Sequence, residues 1–180
     1  MFDAGGSRRV WVGVTGHRSL ADEAEVAVAV DAVLDRLAEG GAALGVASSL
    51  GVASSLAVGA DRLVARRVLA RGGELVALLP LEPADYVRDF EGDAAVADFW
   101  ELLDLADEVE VVVAPDGEAG PREAAYERAG LAVLARCDVL VALWDGEPGR
   151  GRGGTAELVA EARRRGAKVE VVPVRREEGP

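Results

Sequence analysis

The chain has 180 residues, half of them apolar and only 4% aromatic, with a formal net charge of −12. That length suits one domain, with a core built mainly from Val, Leu and Ala. A single cysteine, Cys137, excludes an internal disulfide and a cysteine-based zinc site.

The charge is unevenly spread. From Glu82 to Glu127 there are fifteen acids and two bases, Arg88 and Arg122, while the rest is close to neutral. Such a segment repels a polyanion over about 8–10 Å. Nucleic-acid binding depends on neutralising phosphates, so it is disfavoured. The first ten residues lack the apolar run of a secretory leader. No stretch reaches the ~18 uninterrupted apolar residues of a membrane span. A reducing, cytoplasmic location without a membrane partner is the expectation.

In chain order, residues 10–14 (VWVGV) read as a buried first strand ending in Thr15-Gly16-His17-Arg18. Residues 22–39 carry Val26, Val30, Val33, Leu34 and Leu37 at helical spacing, and Gly40-Gly41 is expected to end that helix. Residues 42–56 form a second apolar run, too long for one strand of five or six residues. It contains a repeat: residues 45–50 read GVASSL and residues 51–56 read GVASSL again. One copy is surplus. A slip by six residues keeps every side chain on its face, so two registers are open. The second copy adjoins the next motif and is expected to hold the functional position.

Residues 59–71 read as a helix closed by Gly72-Gly73, and residues 74–79 as a strand stopped by Pro80. Residues 83–90 are a loop or short helix. Residues 95–106 form an amphipathic helix on Val96, Phe99, Trp100 and Leu103, followed by a strand over 108–113. A polar loop over 115–121 precedes a helix over 122–136, with Pro121 near its start. Residues 138–143 form a fifth strand, 144–154 a glycine-rich loop, 155–165 the last long helix and 168–172 a sixth strand. Residues 175–180 are expected to fray. Short apolar strands alternating with helices predict an α/β fold: one doubly wound, Rossmann-like domain. Its sheet of about six strands is mainly parallel, with helices on both faces and a core over 10–173.

In such sheets ligands bind where strands end and helices begin. Three loops therefore hold the candidate residues. In the first, Gly16 lets the backbone approach a ligand, Thr15 offers a hydroxyl and Arg18 a donor fork suited to phosphate. His17 is the sole histidine, so a histidine-rich metal site is excluded and no metal is expected. It either contacts ligand or makes a structural hydrogen bond. In the second, Ser55 and the residues around it lead to Gly59 at a helix start, where free N–H groups attract anions. Asp61 either meets ligand there or caps the helix. In the third, Gly151, Gly153 and Gly154 leave amides open to a phosphate, Thr155 adds a hydroxyl, and Asp145-Gly146 stands just before. Glu157 either accepts from ribose hydroxyls or answers the helix dipole. No lysine follows the glycines, so this is not a Walker A loop. Trp144 either stacks on a base or caps the core. Tyr86, Asp89 and Phe90 are weaker candidates to line the same cleft.

These motifs together, over roughly residues 10–172, resemble the SLOG superfamily of Rossmann-like proteins, with its LOG-, DprA- and YpsA-like members. VASSLAVGADRLVARRVLARGGELVALLP is similar to a segment with an SGxAxGxD core; Ser55, Ala57, Gly59 and Asp61 match it, and Ser54 stands one place early. GRGGTAE resembles PGGxGTxxE, with different glycine spacing and no leading proline. VTGHR resembles the opening of YpsA-like members. The resemblance implies a nucleotide or nucleotide-derived ligand, with phosphate held by Gly153, Gly154 and Thr155. A sensing or binding domain is the first expectation, with no cofactor. The alternative is a LOG-like nucleoside 5'-monophosphate phosphoribohydrolase, in which Glu157 matches the motif's glutamate and would serve catalysis. Its arginine partner is not fixed between Arg122 and Arg128. Helices at the edge of an α/β sheet often build homodimers, and one is expected here.

Overall fold

The computed structural model describes residues 9–42, 50–114, 120–148 and 154–175. Six strands form one sheet: β1 (Val10–Gly16), β2 (Leu50–Ser54), β3 (Glu74–Leu79), β4 (Glu108–Val111), β5 (Val139–Trp144) and β6 (Lys168–Pro173). Their order is β4-β3-β2-β1-β5-β6, and every neighbouring pair is parallel. The helices are α1 (Glu23–Ala42), α2 (Ala60–Leu69), α3 (Pro83–Tyr86), α4 (Asp93–Asp104), α5 (Arg122–Arg136) and α6 (Thr155–Arg164). A 3-10 turn, Val87–Asp89, continues α3. No described helix is long and apolar enough to cross a membrane.

The strands are apolar on both faces because both are covered. Val139, Val141 and Leu143 of β5 join the main core with Val30, Leu34, Val64, Val68 and Phe99, on the side of α1, α2 and α4. Leu140 and Ala142, between them, pack on Leu134, Leu158 and Val159 of α5 and α6. Similarly, Leu75, Ala77 and Leu79 of β3 face the main core while Val76 and Leu78 face Val133 of α5.

Most sequence-derived boundaries agree with the structure to within a few residues, and three features differ. Gly40-Gly41 do not end α1, which runs to Ala42. Glycine keeps its N–H and costs only about 1 kcal/mol against alanine in a helix, so two of them weaken a last turn without breaking it. Strand β2 occupies Leu50–Ser54, far less than the apolar run. It takes one residue from the first GVASSL and four from the second, so the second copy holds the position before the next motif. Residues 43–49, which include the first five of the first copy, lie outside the described residues. On α4, Phe99 is fully buried and Val96 and Leu103 pack on the core as expected, but Trp100 is 39% exposed and Leu102, outside the expected stripe, is fully buried. The buried stripe is turned toward Leu102 and leaves Trp100 at its margin.

Arginine–carboxylate pairs join the helices of one face. Asp31 of α1 binds Arg67 of α2 and Arg71 in the turn that follows it, and Asp98 of α4 binds Arg62 and Arg66 of α2. The Arg67 hydrogen bond holds the Asp31 carboxyl below its ordinary range. Burial pushes Asp98 up, but its bonds to Arg66 and Arg62 outweigh that and leave it lowered. A carboxylate with a depressed folded pKa stabilises the protein above its unfolded value, about 3.9, and that stability is lost as pH falls through the folded pKa. Melts from pH 7 downward should therefore show stability falling below about pH 4. Asp98→Asn should melt lower than the parent at pH 7 and show a shallower acid limb. An acid limb unchanged by Asp98→Asn would refute this account.

Candidate functional site

The sheet order reverses at β1: β2, β3 and β4 lie on one side, β5 and β6 on the other. The connections leaving β1 and β5 therefore run to opposite sides of the sheet, the place where sheets of this kind bind ligands at their carboxyl edge. At the end of β1, Thr15 and Gly16 pair with Ala142 and Leu143 of β5, and the His17 N–H donates to the Leu143 carbonyl at 3.2 Å. Gly16 is packed so closely that a Cβ would lie 2.4 Å from Ala60 Cβ and 2.8 Å from the Leu143 oxygen. Gly59 has φ +86°, and its Cβ would stand 2.5 Å from the carbonyl oxygens of both His17 and Arg18. The first loop is thus wedged between the start of α2 and the end of β5, and glycine at 16 and 59 makes room for it.

His17 crosses the switch point. Its Nε2 lies 3.2 Å from the Asp145 N–H and 3.1 Å from Asp145 Oδ2. One ring nitrogen cannot serve both at once: it accepts from the amide when unprotonated and donates to the carboxylate when protonated. Asp145 itself forms a turn in which its Oδ1 accepts from the Glu147 N–H at 3.0 Å, with Gly146 at φ +84°. Trp144 caps the core. Its ring packs on the α5–α6 side of the sheet, and its indole N–H donates to the Glu147 carbonyl at 2.9 Å. Gly154 is the N-cap of α6 and provides no side-chain cap; Thr155 opens the helix half-buried, and Glu157 is exposed in the first turn. Gly153, with Gly151 and Arg152, lies outside the described residues.

The second loop uses its polar groups internally. Asp61 is 5% exposed and caps nothing; the N-cap of α2 is Gly59. Instead the Asp61 carboxylate folds back and accepts from Ser54 Oγ at 3.1 Å, Ser55 N at 3.1 Å and Ser55 Oγ at 2.7 Å. Burial raises its pKa, and these bonds offset part of the rise. The Ala60 N–H, in the first turn of α2, is taken by the His17 carbonyl at 3.1 Å. An anion at this helix start therefore competes with protein partners already in place.

Leu56 adopts φ +57° and is fully buried, a conformation that costs a bulky residue energy and is held only by its surroundings. Its N–H donates to Ser54 Oγ and its carbonyl accepts from Arg62 Nε, both at 3.0 Å. Nothing in the sequence announces a left-handed leucine.

On the rim, Arg18 is exposed with its guanidinium 5.5 Å from the Tyr126 ring centroid. Tyr126 donates to Asp89, and Arg122 donates to Asp85 and Asp89, each at 2.9 Å. Burial and the Asp89 bond push the Tyr126 hydroxyl up to about 12. Of the three weaker candidates, only Asp89 reaches this rim. Tyr86 is fully buried and Phe90 nearly so, in an edge-on aromatic cluster with Phe99 and Tyr126 at centroid distances of 4.8–5.9 Å. No local signal links Tyr126 and Arg122 to their partners, which lie 33–37 residues away. Among the described residues no group of His, Cys, Asp or Glu could hold a metal.

No protein-family model and no curated protein matches the sequence. Solved structures do match in three dimensions. DNA processing protein A from Streptococcus pneumoniae aligns over 91% of this chain with a TM-score of 0.61 at 18% identity. The chain spans about half the length of that protein, 50% of it. The Moco carrier protein from Chlamydomonas reinhardtii aligns over 92% of this chain and 76% of its own, with a TM-score of 0.48 at 21% identity. The six parallel strands, their order and the likeness to DNA processing protein A together give this chain a Rossmann-like α/β fold, that of the aligned half of that protein.

Proposed function

We propose that this domain binds a nucleotide or nucleotide-derived ligand by its phosphate, in the crevice between the loops that leave β1 and β5. One observation carries the reading: His17 and Asp145 meet across the point where the strand order reverses. Thr15, Gly16, His17 and Arg18 form one wall. Asp145 and Gly146, then Gly154 and Thr155 at the start of α6, form the other, with Glu157 toward the sugar. Ser55, Gly59 and Asp61 support the first wall from behind, since their polar groups are bonded within the protein. Gly154, the N-cap of α6, supplies no side-chain cap, and the helix dipole at that end favours an anion.

Thermal shift against a panel of nucleotides, with inorganic phosphate as reference, tests this. A true ligand at 100 times its Kd adds about 2.7 kcal/mol, a rise of roughly 5–10 °C for a chain of this size. Arg18→Ala and Thr155→Val should each weaken binding about tenfold or more, as expected for one charge-assisted or buried hydrogen bond. A panel in which no nucleotide outperforms inorganic phosphate would refute the reading. The same samples report turnover: free base released from AMP, and lost in Glu157→Ala, would make the domain a hydrolase.

A further inference from the structure

We infer that the open edge of β4 is a docking surface for a basic, extended segment of a partner protein, which joins the sheet as an added strand. Among the described residues β4 pairs only with β3, from Val76↔Glu108 to Leu79↔Val111, so its outer row of backbone groups faces outward. Such a row is a template for another strand. The apolar surface is concentrated at the same place. Four of the six exposed large hydrophobic residues belong to α4, β4 and their flanks: Trp100 (39%), Leu105 (51%), Val109 (45%) and Val113 (70%). Val111 packs into the main core with Phe99 and Leu102 of α4, and strand alternation puts Val109 on that same face. Val109 therefore sits on the α4 side of the sheet, 45% exposed.

Charge selects the occupant. Glu101, Asp104, Asp107, Glu108 and Glu110 are all exposed around this edge; Glu101 pairs with Arg66, Glu108 with Arg136, and Asp107 accepts from the Leu75 N–H, so five carboxylates stand against two arginines and the edge stays acidic. A second copy would bring Glu108 and Glu110 against their equivalents, and like charges across strands destabilise pairing. A nucleic acid or an anionic lipid surface would meet the same acids. A strand in which Lys or Arg alternates with Val or Ile satisfies backbone, apolar face and charge together. The surface is remote from the crevice, so this inference stands apart from the nucleotide reading.

The probe is a labelled Lys-Val-Lys-Val-Lys-Val peptide added to the intact chain, followed by fluorescence anisotropy and by amide shifts in ¹H–¹⁵N spectra. Saturable, salt-sensitive binding is expected, with shifts centred on residues 105–113. Glu110→Lys and Val109→Asp should each weaken it roughly tenfold or more, about 1.4 kcal/mol. Val171→Asp, on the opposite edge, should leave it unchanged. A peptide with alternate amides N-methylated should fail, because strand addition needs those N–H groups. Melts confirm the fold of each variant; should Val109→Asp unfold, Glu110→Lys alone decides. Absence of saturable binding, or equal binding of the methylated peptide, overturns the inference. So does a dimer seen by sedimentation that Val109→Asp dissolves, which would make a second copy the occupant.

Discussion

Gly59→Ala will destabilise the protein by about 3–5 kcal/mol, lowering the melting temperature by roughly 6–20 °C. Two penalties add. At φ +86° and ψ −119° a residue with a Cβ is strained whatever surrounds it. Here the Cβ would also lie 2.5 Å from two backbone oxygens, those of His17 and Arg18. Backbone cannot swing aside as a side-chain tip can, so the first loop must move away from α2 and take the His17 carbonyl off the Ala60 amide. Gly146→Ala is the control. Gly146 has nearly the same φ, +84°, but nothing within 4 Å of its would-be Cβ, so only the conformational term applies, about 1 kcal/mol. Denaturant unfolding of both variants separates the terms. Equal losses would show that the contact with the first loop contributes nothing.

Arg62→Ala will cost a similar amount, about 3–5 kcal/mol. Arg62 is 4% exposed and bonds three acceptors in two separate segments: the Leu56 carbonyl at 3.0 Å, the Ala95 carbonyl at 2.6 Å and Asp98 Oδ2 at 3.1 Å. Its guanidinium also lies 4.4 Å from the Phe90 ring centroid. Removing it strands buried acceptors and releases the left-handed Leu56, which the loop carrying Ser55 depends on. Lysine cannot rescue the site, because one ammonium does not span three acceptors that a planar fork reaches. Arg66→Ala is the matched comparison. It removes a partner of the same Asp98, but its side chain is 39% exposed, and such surface pairs contribute at most about 1 kcal/mol. If the two arginines prove equal in an unfolding titration, burial is not what gives Arg62 its weight.

The aromatic cluster shows where reading the chain in order reaches its limit. Tyr86 and Phe90 follow β3 directly and look like lining for the crevice, since the residues after a strand usually are. Their rings instead fill the gap between α4 and α5, where Phe99 and Tyr126 complete the packing. Only the polar member, Asp89, stays at the rim, pulled there by Tyr126 and Arg122. Trp144 behaves in a similar way, satisfying its N–H within three residues and half-burying its ring.

The alternation of strands and helices, the parallel sheet buried on both faces and the positions of the three loops were legible in the chain alone. Those properties depend on local periodicity and on glycine or proline at element ends, which neighbouring residues carry. Folding settled the rest: that Asp61 serves Ser54 and Ser55, that Leu56 is held left-handed, that His17 meets Asp145 across 128 residues of chain, and that β4 is an edge strand among the described residues. These are choices among partners. A carboxylate or an imidazole bonds whatever the fold brings within about 3 Å, and the composition of a loop does not state what will stand beside it.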